Sequence, residues 1–304
     1  MRKILIFILF LGLNHSLYAE KKNQNKTIDS LTIDMKISEG LINTYTNEEN
    51  KLYFEISKNL LGKELLVVTR LAQLPGNYAG YLNAGSKTAE HVVQFEKHAK
   101  KILLKEVGFT NISDEEDPIS LSVSVNNFKP ILGAFDIKNS EDDKYLIDVS
   151  SYFMSDSPGF NIIRSYEKDN YKIGGVDKKR SFIDSARSFP RNTEILHTLT
   201  FSVNKAPRGN RTKTFSFQIN HSIIALPDNP MPVRYEDERV GWFTINKINY
   251  SSEKLKSDSY NIVRRWRLEP SDLDAYNRGE LVEPIKPIIY YLDPGTPMKW
   301  RKYF

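Results

Sequence analysis

Cysteine is absent from all 304 residues. Disulfides, zinc–thiolate sites and a cysteine nucleophile are therefore excluded, and a chain of this length has to hold itself together by its apolar core. Histidine is nearly as scarce: His15, His91, His98, His197 and His221 are the five. None belongs to an H-E-x-x-H pattern, so no helix offers two imidazoles one turn apart beside a glutamate. A G-x-S-x-G elbow, a P-loop and a G-x-G-x-x-G turn are missing as well. No fixed-period repeat, heptad run or low-complexity tract occurs. No catalytic constellation is legible in what remains. The same poverty yields no cofactor for this chain.

The histidines that are present read as ordinary strand residues. His91 and His98 stand seven positions apart in strand-like sequence, on opposite faces, which disfavours a shared metal. His197 and His221 fall on the two arms of one predicted hairpin and can be neighbours, but neither has a carboxylate at ligand spacing. The acidic stretches "SDEEDP" (113–118) and "NSEDDK" (139–144) lack the D-x-[DN]-x-[DN]-G pattern and read as solvated turns rather than calcium loops.

The first residues predict an exported protein. Arg2 and Lys3 precede a ten-residue apolar run, Ile4 to Leu13, and Ala19 suits the last position before cleavage. Ten residues fall short of the roughly 20 that a spanning helix needs, so residues 1–19 read as a secretory signal peptide. The expected location is periplasmic, cell-surface or extracellular, with no transmembrane span after cleavage. The formal net charge of +5 becomes about +3 once Arg2 and Lys3 leave with the signal. Basic residues cluster at Lys97–Lys105, where they alternate with apolar ones as on a solvated strand face. They cluster again in "KAPRGNRTK" (205–213), which has hairpin-loop chemistry. Aromatics do not interleave with either cluster, and nucleic acid is not an expected partner.

Residues 20–38 are polar and lysine-rich and read as a linker. Strand patterns dominate residues 39–270, as one β-rich region or as a small module followed by a larger β domain. "KLYFEIS" (51–57) puts Leu52, Phe54 and Ile56 on one face. "ELLVVTR", "HVVQFEKH" and "KKILLKEV" follow, and "ISLSVSV" (119–125) alternates strictly, predicting another strand. "KYLIDVS" (144–150) is strand-like too, and "ILHTLTFSV" (195–203) with "TFSFQINHSIIAL" (214–226) predicts a long antiparallel hairpin around the basic loop. Gly174-Gly175 predicts a hairpin turn. Helix signals are few: one turn after Ser57 stopped by Gly62, then 180–189, 271–280 and the last residues. The fold class is mainly β, with antiparallel sheets and few short helices, and α+β as the alternative.

Two polar-aromatic stretches are candidates for binding or interdomain docking. "PMPVRYEDERVGWF" (230–243) carries Arg234, Asp237, Arg239 and Trp242, and "RRWRLEP" (264–270) carries Arg265, Trp266 and Arg267. Tryptophan and arginine most often anchor interfaces. The plainer reading is an ion-paired loop and strand with arginine stacked on tryptophan.

The closing stretch, residues 271–304, reads as a junction. Ile288 to Leu292 form a short apolar run between Pro287 and Pro294, the pattern of a strand buried on both faces. Thr296-Pro297 then predicts a helix start, with threonine as cap and proline in the first turn. The run and the helix start read as the opening of a domain that lies beyond this sequence.

Those same stretches resemble the N-terminal part of large secreted bacterial zinc-dependent metalloproteases of the zincin type, whose N-terminal domains have no assigned function. The resemblance covers about residue 38 to 304. It is carried by "KLYFEISKNLLGKELLVVTRLA", "NNFKPILGAFDI", "SYFMSDSPG", "RSFIDSARSFPRNTEILHTLTFS", "HSIIALPDNPMPVRYEDERVGWF", "RRWRLEP" and "LVEPIKPIIYYLDPGTPMKWRKYF". It implies that Ile288–Leu292 is the first strand of the protease domain, with the H-E-x-x-H helix further downstream. No zinc ligand or general base can be carried over to a residue of this sequence, so the catalytic and metal sites are expected to be empty of residues here. The implied chain is inactive alone, with zinc needed only by the full-length enzyme, which acts on peptide or protein. Its implied partner is its own catalytic domain or a separately encoded one. A free-standing exported binding module is the alternative.

Overall fold

The computed structural model describes residues 27–78, 82–251 and 253–304. The expected signal segment, residues 1–19, lies outside them. In chain order the strands are β1 (Lys36–Ser38), β2 (Asn43–Thr46), β3 (Leu52–Ser57), β4 (Glu64–Gln73), β5 (Lys87–His98), β6 (Lys101–Glu106), β7 (Asn111–Ile112), β8 (Ile131–Glu141) and β9 (Lys144–Asp148). They continue as β10 (Ile173–Val176), β11 (Phe182–Phe189), β12 (Asn192–Val203), β13 (Thr214–Ala225), β14 (Thr244–Asn249) and β15 (Asp258–Val263). Short helices are α1 (Ile28–Thr32), α2 (Ile119–Asn126), α3 (Ser150–Phe153), α4 (Ser165–Tyr171), α5 (Leu273–Asn277) and α6 (Met298–Arg301). The protein is mainly β, as its sequence pattern predicts.

Twelve strands form one antiparallel sheet in the order β1-β2-β3-β9-β8-β6-β5-β4-β13-β12-β10, with β11 also on the β12 edge. The sheet curls until its ends nearly meet. The Leu41 N–H donates to the Phe189 carbonyl (2.8 Å), the Ser188 N–H to the Ser38 hydroxyl (2.9 Å) and the Ile42 N–H to Thr193 Oγ1 (3.3 Å). Near-closure leaves few open ladder groups at the edges. A β-carbon on Gly40 would lie 2.5 Å from the Phe189 nitrogen, so only glycine lets the two edges approach this closely.

Alternation fills the interior. On β12, Ile195, His197, Leu199, Phe201 and Val203 point inward, and on β13 Phe215, Phe217, Ile219, His221 and Ile223 do the same. Segment 149–163 plugs the barrel with Val149, Phe153, Phe160, Ile162 and Ile163. Its backbone is tied down by Leu52 N–H donating to Ser150 Oγ (2.8 Å) and Thr88 Oγ1 donating to the Phe160 carbonyl (3.1 Å). The residual cavity, about 30 Å³ and walled by side chains such as Phe54, Phe95, Tyr152 and His221, is too small for a ligand.

Five expectations give way. Residues 27–38, expected as part of a polar linker, form α1 and β1, and Ile28 packs with Tyr45 and Leu146. The alternating "ISLSVSV" is the helix α2. It touches β7 but pairs with no strand among the described residues, and Asp117 supplies its start, accepting from the Ile119 N–H through Oδ1 (3.1 Å) and from the Ser120 N–H through its carbonyl (2.9 Å). Residues 182–189, expected as helix, are β11, because β12 offers a paired edge from Phe182↔Thr198 to Phe189↔Asn192. Gly174-Gly175 is strand β10 rather than a turn, and its missing β-carbon lets Gly174 lie against Ser202, whose hydroxyl would sit 2.3 Å from one.

The closing run is the fifth. Residues 287–292 form no strand and pair with none among the described residues. Tyr290 is 82% exposed and Tyr291 90%, against the expected burial. The apolar pattern predicts a strand that the described residues do not form, because a strand needs a paired neighbour and burial needs a partner surface. A helix does start there, one residue later than expected: Pro297 is the N-cap of α6, and no side chain caps it.

Candidate functional site

The two polar-aromatic stretches are neighbours. β14 and β15 form a hairpin, β7 adds to β14, and residues 229–236 run antiparallel along the far edge of β15 and its continuation. The Glu236 N–H donates to the Asn261 carbonyl (3.0 Å) and the Val263 N–H to the Arg234 carbonyl (2.9 Å). Further on, Arg265 Nη2 donates to the Pro232 carbonyl (2.7 Å), and Arg267 donates to the Asn229 carbonyl and, through Nε, to Glu269 (2.9 Å). Arginine suits this role because its fork reaches carbonyls across a widening gap between strands. Arg264 N–H donates to the Phe243 carbonyl (2.8 Å), which brings the Trp242 end of the first stretch beside the second.

Arg234, Trp242, Arg265, Trp266 and Arg267 therefore share one small sheet and its rim, whereas Asp237 and Arg239 pair with each other in the loop above. Arg239 donates to Asp237 through Nε (2.8 Å), Nη2 (2.6 Å) and its backbone N–H (3.0 Å). These bonds hold the Asp237 carboxyl below the ordinary carboxylate range. Both groups are solvated, so the pair shapes the loop more than it stabilises the fold. No arginine lies over the Trp266 ring among the described residues, and Trp266 is 64% exposed. The stacked reading of "RRWRLEP" is thereby replaced by arginines that bond backbone carbonyls and leave the tryptophan free. Tyr235, Val240, Phe243 and Leu268 add exposed apolar area around the same small sheet and its rim. A cleft of about 380 Å³, lined by Arg191, Asp228, Arg267, Glu269, Ile285 and Lys286, separates this face from the barrel.

Beyond the cleft runs the closing segment. The Ser271 N–H donates to Glu283 O (3.0 Å) and the Ile285 N–H to Glu269 O (2.8 Å). From Lys286 to Leu292 no backbone group has a hydrogen-bond partner among the described residues. This unpaired run carries Ile289, Tyr290 and Tyr291 into solvent with its backbone groups open to another chain.

Inside the barrel, His197 and His221 meet as neighbours, Nε2 to Nε2 2.8 Å apart, with Thr69 Oγ1 2.9 Å from His221 Nδ1. Phe153 and Phe160 cover them. These residues do not fit a zinc site, since the two imidazoles meet a hydroxyl and phenyl rings where a third ligand is needed. His91 is held apart, 2.7 Å from Glu106 through Nδ1 and 2.9 Å from the Gly159 carbonyl through Nε2, while His98 is exposed. Among the described residues no group of three or more His, Asp or Glu side chains is placed to hold a metal, and no helix is long and apolar enough to cross a membrane.

A nearly closed antiparallel barrel, plugged by its own chain and carrying an arginine–aromatic side sheet, is the class this geometry defines. The chain belongs to the family described as domain of unknown function DUF5117, which matches residues 85–271. Residues 25–74 match a second, described as domain of unknown function DUF5118. No curated protein and no solved structure matches the chain. The two families divide one sheet: the first four strands come from the DUF5118 region, and β4 sits between β5 and β13 of the DUF5117 region.

Proposed function

We propose that this chain is the non-catalytic N-terminal part of an exported zinc-dependent metalloprotease, inactive by itself, whose arginine–aromatic face and closing run dock a zincin catalytic domain. The observation that carries this reading is the exposed, unpaired run from Lys286 to Leu292. A strand with free N–H and C=O groups and β-branched and aromatic side chains gains both hydrogen bonds and burial by joining another sheet. The face beside it, with Trp242, Phe243 and Trp266, supplies the residue types that anchor interfaces. Zinc, the general base and the peptide-binding cleft belong to the docked domain in this reading, and the substrate is peptide or protein.

The experiment is reconstitution. The purified chain is mixed with the separately expressed zincin domain of a full-length relative. Co-elution is expected, together with its loss in Tyr290→Ser/Tyr291→Ser. Stoichiometric zinc binding by the chain alone, with chelator-sensitive cleavage of a peptide, would overturn the reading.

A second reading is a free-standing exported binding module. The observation favouring it is that the main core, from Ile42 to Ile223, contains no residue of the closing segment, so the barrel is complete without it. Removal of residues 284–304 discriminates. The free-standing module keeps its ligand and solubility, whereas the docking module loses its partner.

A further inference from the structure

Three lysines far apart in the chain line one open cleft on the flank of the barrel. Lys51 stands at the entry to β3, Lys138 on β8 and Lys178 on the turn after β10. The cleft encloses about 610 Å³, within the roughly 300–1,000 Å³ range of small-molecule sites. It also contains two carboxylates, and both are engaged. Asp136 pairs with Lys101 at 2.5 Å. Asp148 accepts from the Ser150 hydroxyl (2.6 Å) and the Ser150 N–H (3.0 Å), with Lys51 at 3.8 Å. Lys138 and Lys178 have no ion-pair partner among the described residues. With Lys101, Lys138 also helps to hold the Asp136 carboxyl below its ordinary range, and a concave surface with more ammonium groups than carboxylates attracts anions.

The wall of this cleft is aromatic. Tyr152 meets Phe135 edge to face, with centroids 5.5 Å apart, and is braced from behind by Phe153 and Phe160. Its hydroxyl donates to the Pro158 carbonyl (3.3 Å), which fixes the ring. The Ser151 hydroxyl, on the rim, has no bond among the described residues. A rigid ring beside hydroxyls and ammonium groups matches a ligand with one apolar face, several hydroxyls and an oxyanion.

We propose that this cleft binds a small sugar phosphate, with the phosphate oxygens held by Lys138, Lys178 and Lys51 and the sugar ring against Tyr152. The site belongs to the barrel and shares no residue with the docking face, so it stands or falls independently of the metalloprotease reading.

Isothermal titration calorimetry of the full chain at low salt tests it with glucose 6-phosphate, inorganic phosphate and glucose. Saturable binding of glucose 6-phosphate, weaker binding of inorganic phosphate and none of glucose are expected. Lys138→Ala/Lys178→Ala should weaken glucose 6-phosphate about tenfold or more, the effect of losing charge-assisted hydrogen bonds. Lys179→Ala, one residue outside the cleft, should leave binding unchanged. Both lysines are exposed, so the double variant should keep the wild-type unfolding midpoint. Absence of saturable binding, or equal weakening by Lys179→Ala, would overturn the site. Equal affinity for inorganic phosphate and glucose 6-phosphate would overturn the role of Tyr152.

Discussion

Nε2 of His197 lies 2.8 Å from Nε2 of His221, and both rings are fully enclosed by the barrel. One shared proton satisfies the contact, with one nitrogen donating and the other accepting, whereas two protons would set donor against donor. Burial pushes His197 down to about 3, with the Phe153 backbone partly opposing it. Burial, and then the charge that His197 would carry, push His221 well below its ordinary value.

That pair makes stability pH-dependent in a defined direction. In the unfolded chain both histidines titrate near their ordinary value of about 6.5. In the folded chain they stay neutral far below it. The unfolded state therefore binds more protons, and stability falls as pH drops below about 6.5, with a slope approaching 1.4 kcal/mol per pH unit for each histidine. Urea unfolding between pH 7 and 5 should show this loss. His197→Leu/His221→Leu, which removes both partners together, should flatten the slope in that window. An unchanged slope in the double variant would refute the assignment.

Glu55 is buried beside the seam between β2 and β3. It accepts from Tyr45 Oη (2.7 Å), Asn43 Nδ2 (3.0 Å) and Lys144 Nζ (2.9 Å). Burial raises its carboxyl, but the bonds from Lys144, Tyr45 and Asn43 outweigh that and hold it below the ordinary range. Burial and the same carboxylate push Tyr45 upward. Tyr45→Phe should therefore cost about 1.5–3 kcal/mol, the size of a hydrogen bond to a charged group. Denaturant titration measures it, and a change below about 0.5 kcal/mol would show that water replaces the phenol.

Gly40 meets the backbone of Phe189 where the sheet nearly closes. Gly40→Ala should part the two edges at a cost of about 1–3 kcal/mol, the range for overpacking. Hydrogen exchange reads the local effect, because the Leu41 N–H bonded to Phe189 should exchange faster while the β12–β13 ladder keeps its protection. Uniform protection in the variant would contradict the close approach.

The division of one sheet between two families predicts that neither region folds alone. Residues 85–271 without β4 leave β5 and β13 with open edges and remove Leu65, Val68 and Leu71 from the core. That fragment should lack cooperative unfolding, and co-expression with residues 25–74 should restore it. A sharp thermal transition in the isolated fragment would show an independent domain.

Much of the barrel was legible beforehand. The long hairpin around "KAPRGNRTK" and the one-turn helix after Ser57 follow from alternation and turn chemistry. Both are encoded locally: His197 and His221 meet as diagonal neighbours on the inner face, because alternation and hairpin register set His197 opposite Ile219 and His221 opposite Ile195. The two arginine–aromatic stretches are also visible as residue types, though nothing in the sequence reveals that residues 229–236 lie antiparallel to 261–267.

By itself, the sequence determined the mainly β class, the long β12–β13 hairpin and the apolar faces of its strands, because alternation repeats at short range. Only the tertiary structure decided which of them find partners. "ISLSVSV" and "RSFIDSARSF" exchange their expected states: the first touches β7 without forming a ladder, and the second pairs with β12 along its length. Ile288–Leu292 has the composition of a core strand and stays largely in solvent, with no strand paired to it among the described residues. Lys51, Lys138 and Lys178 carried no signal at all, since only the curling of β3, β8 and the β10 turn brings them to one cleft. Burial and convergence depend on contacts between residues far apart in the chain, and no local pattern records those contacts.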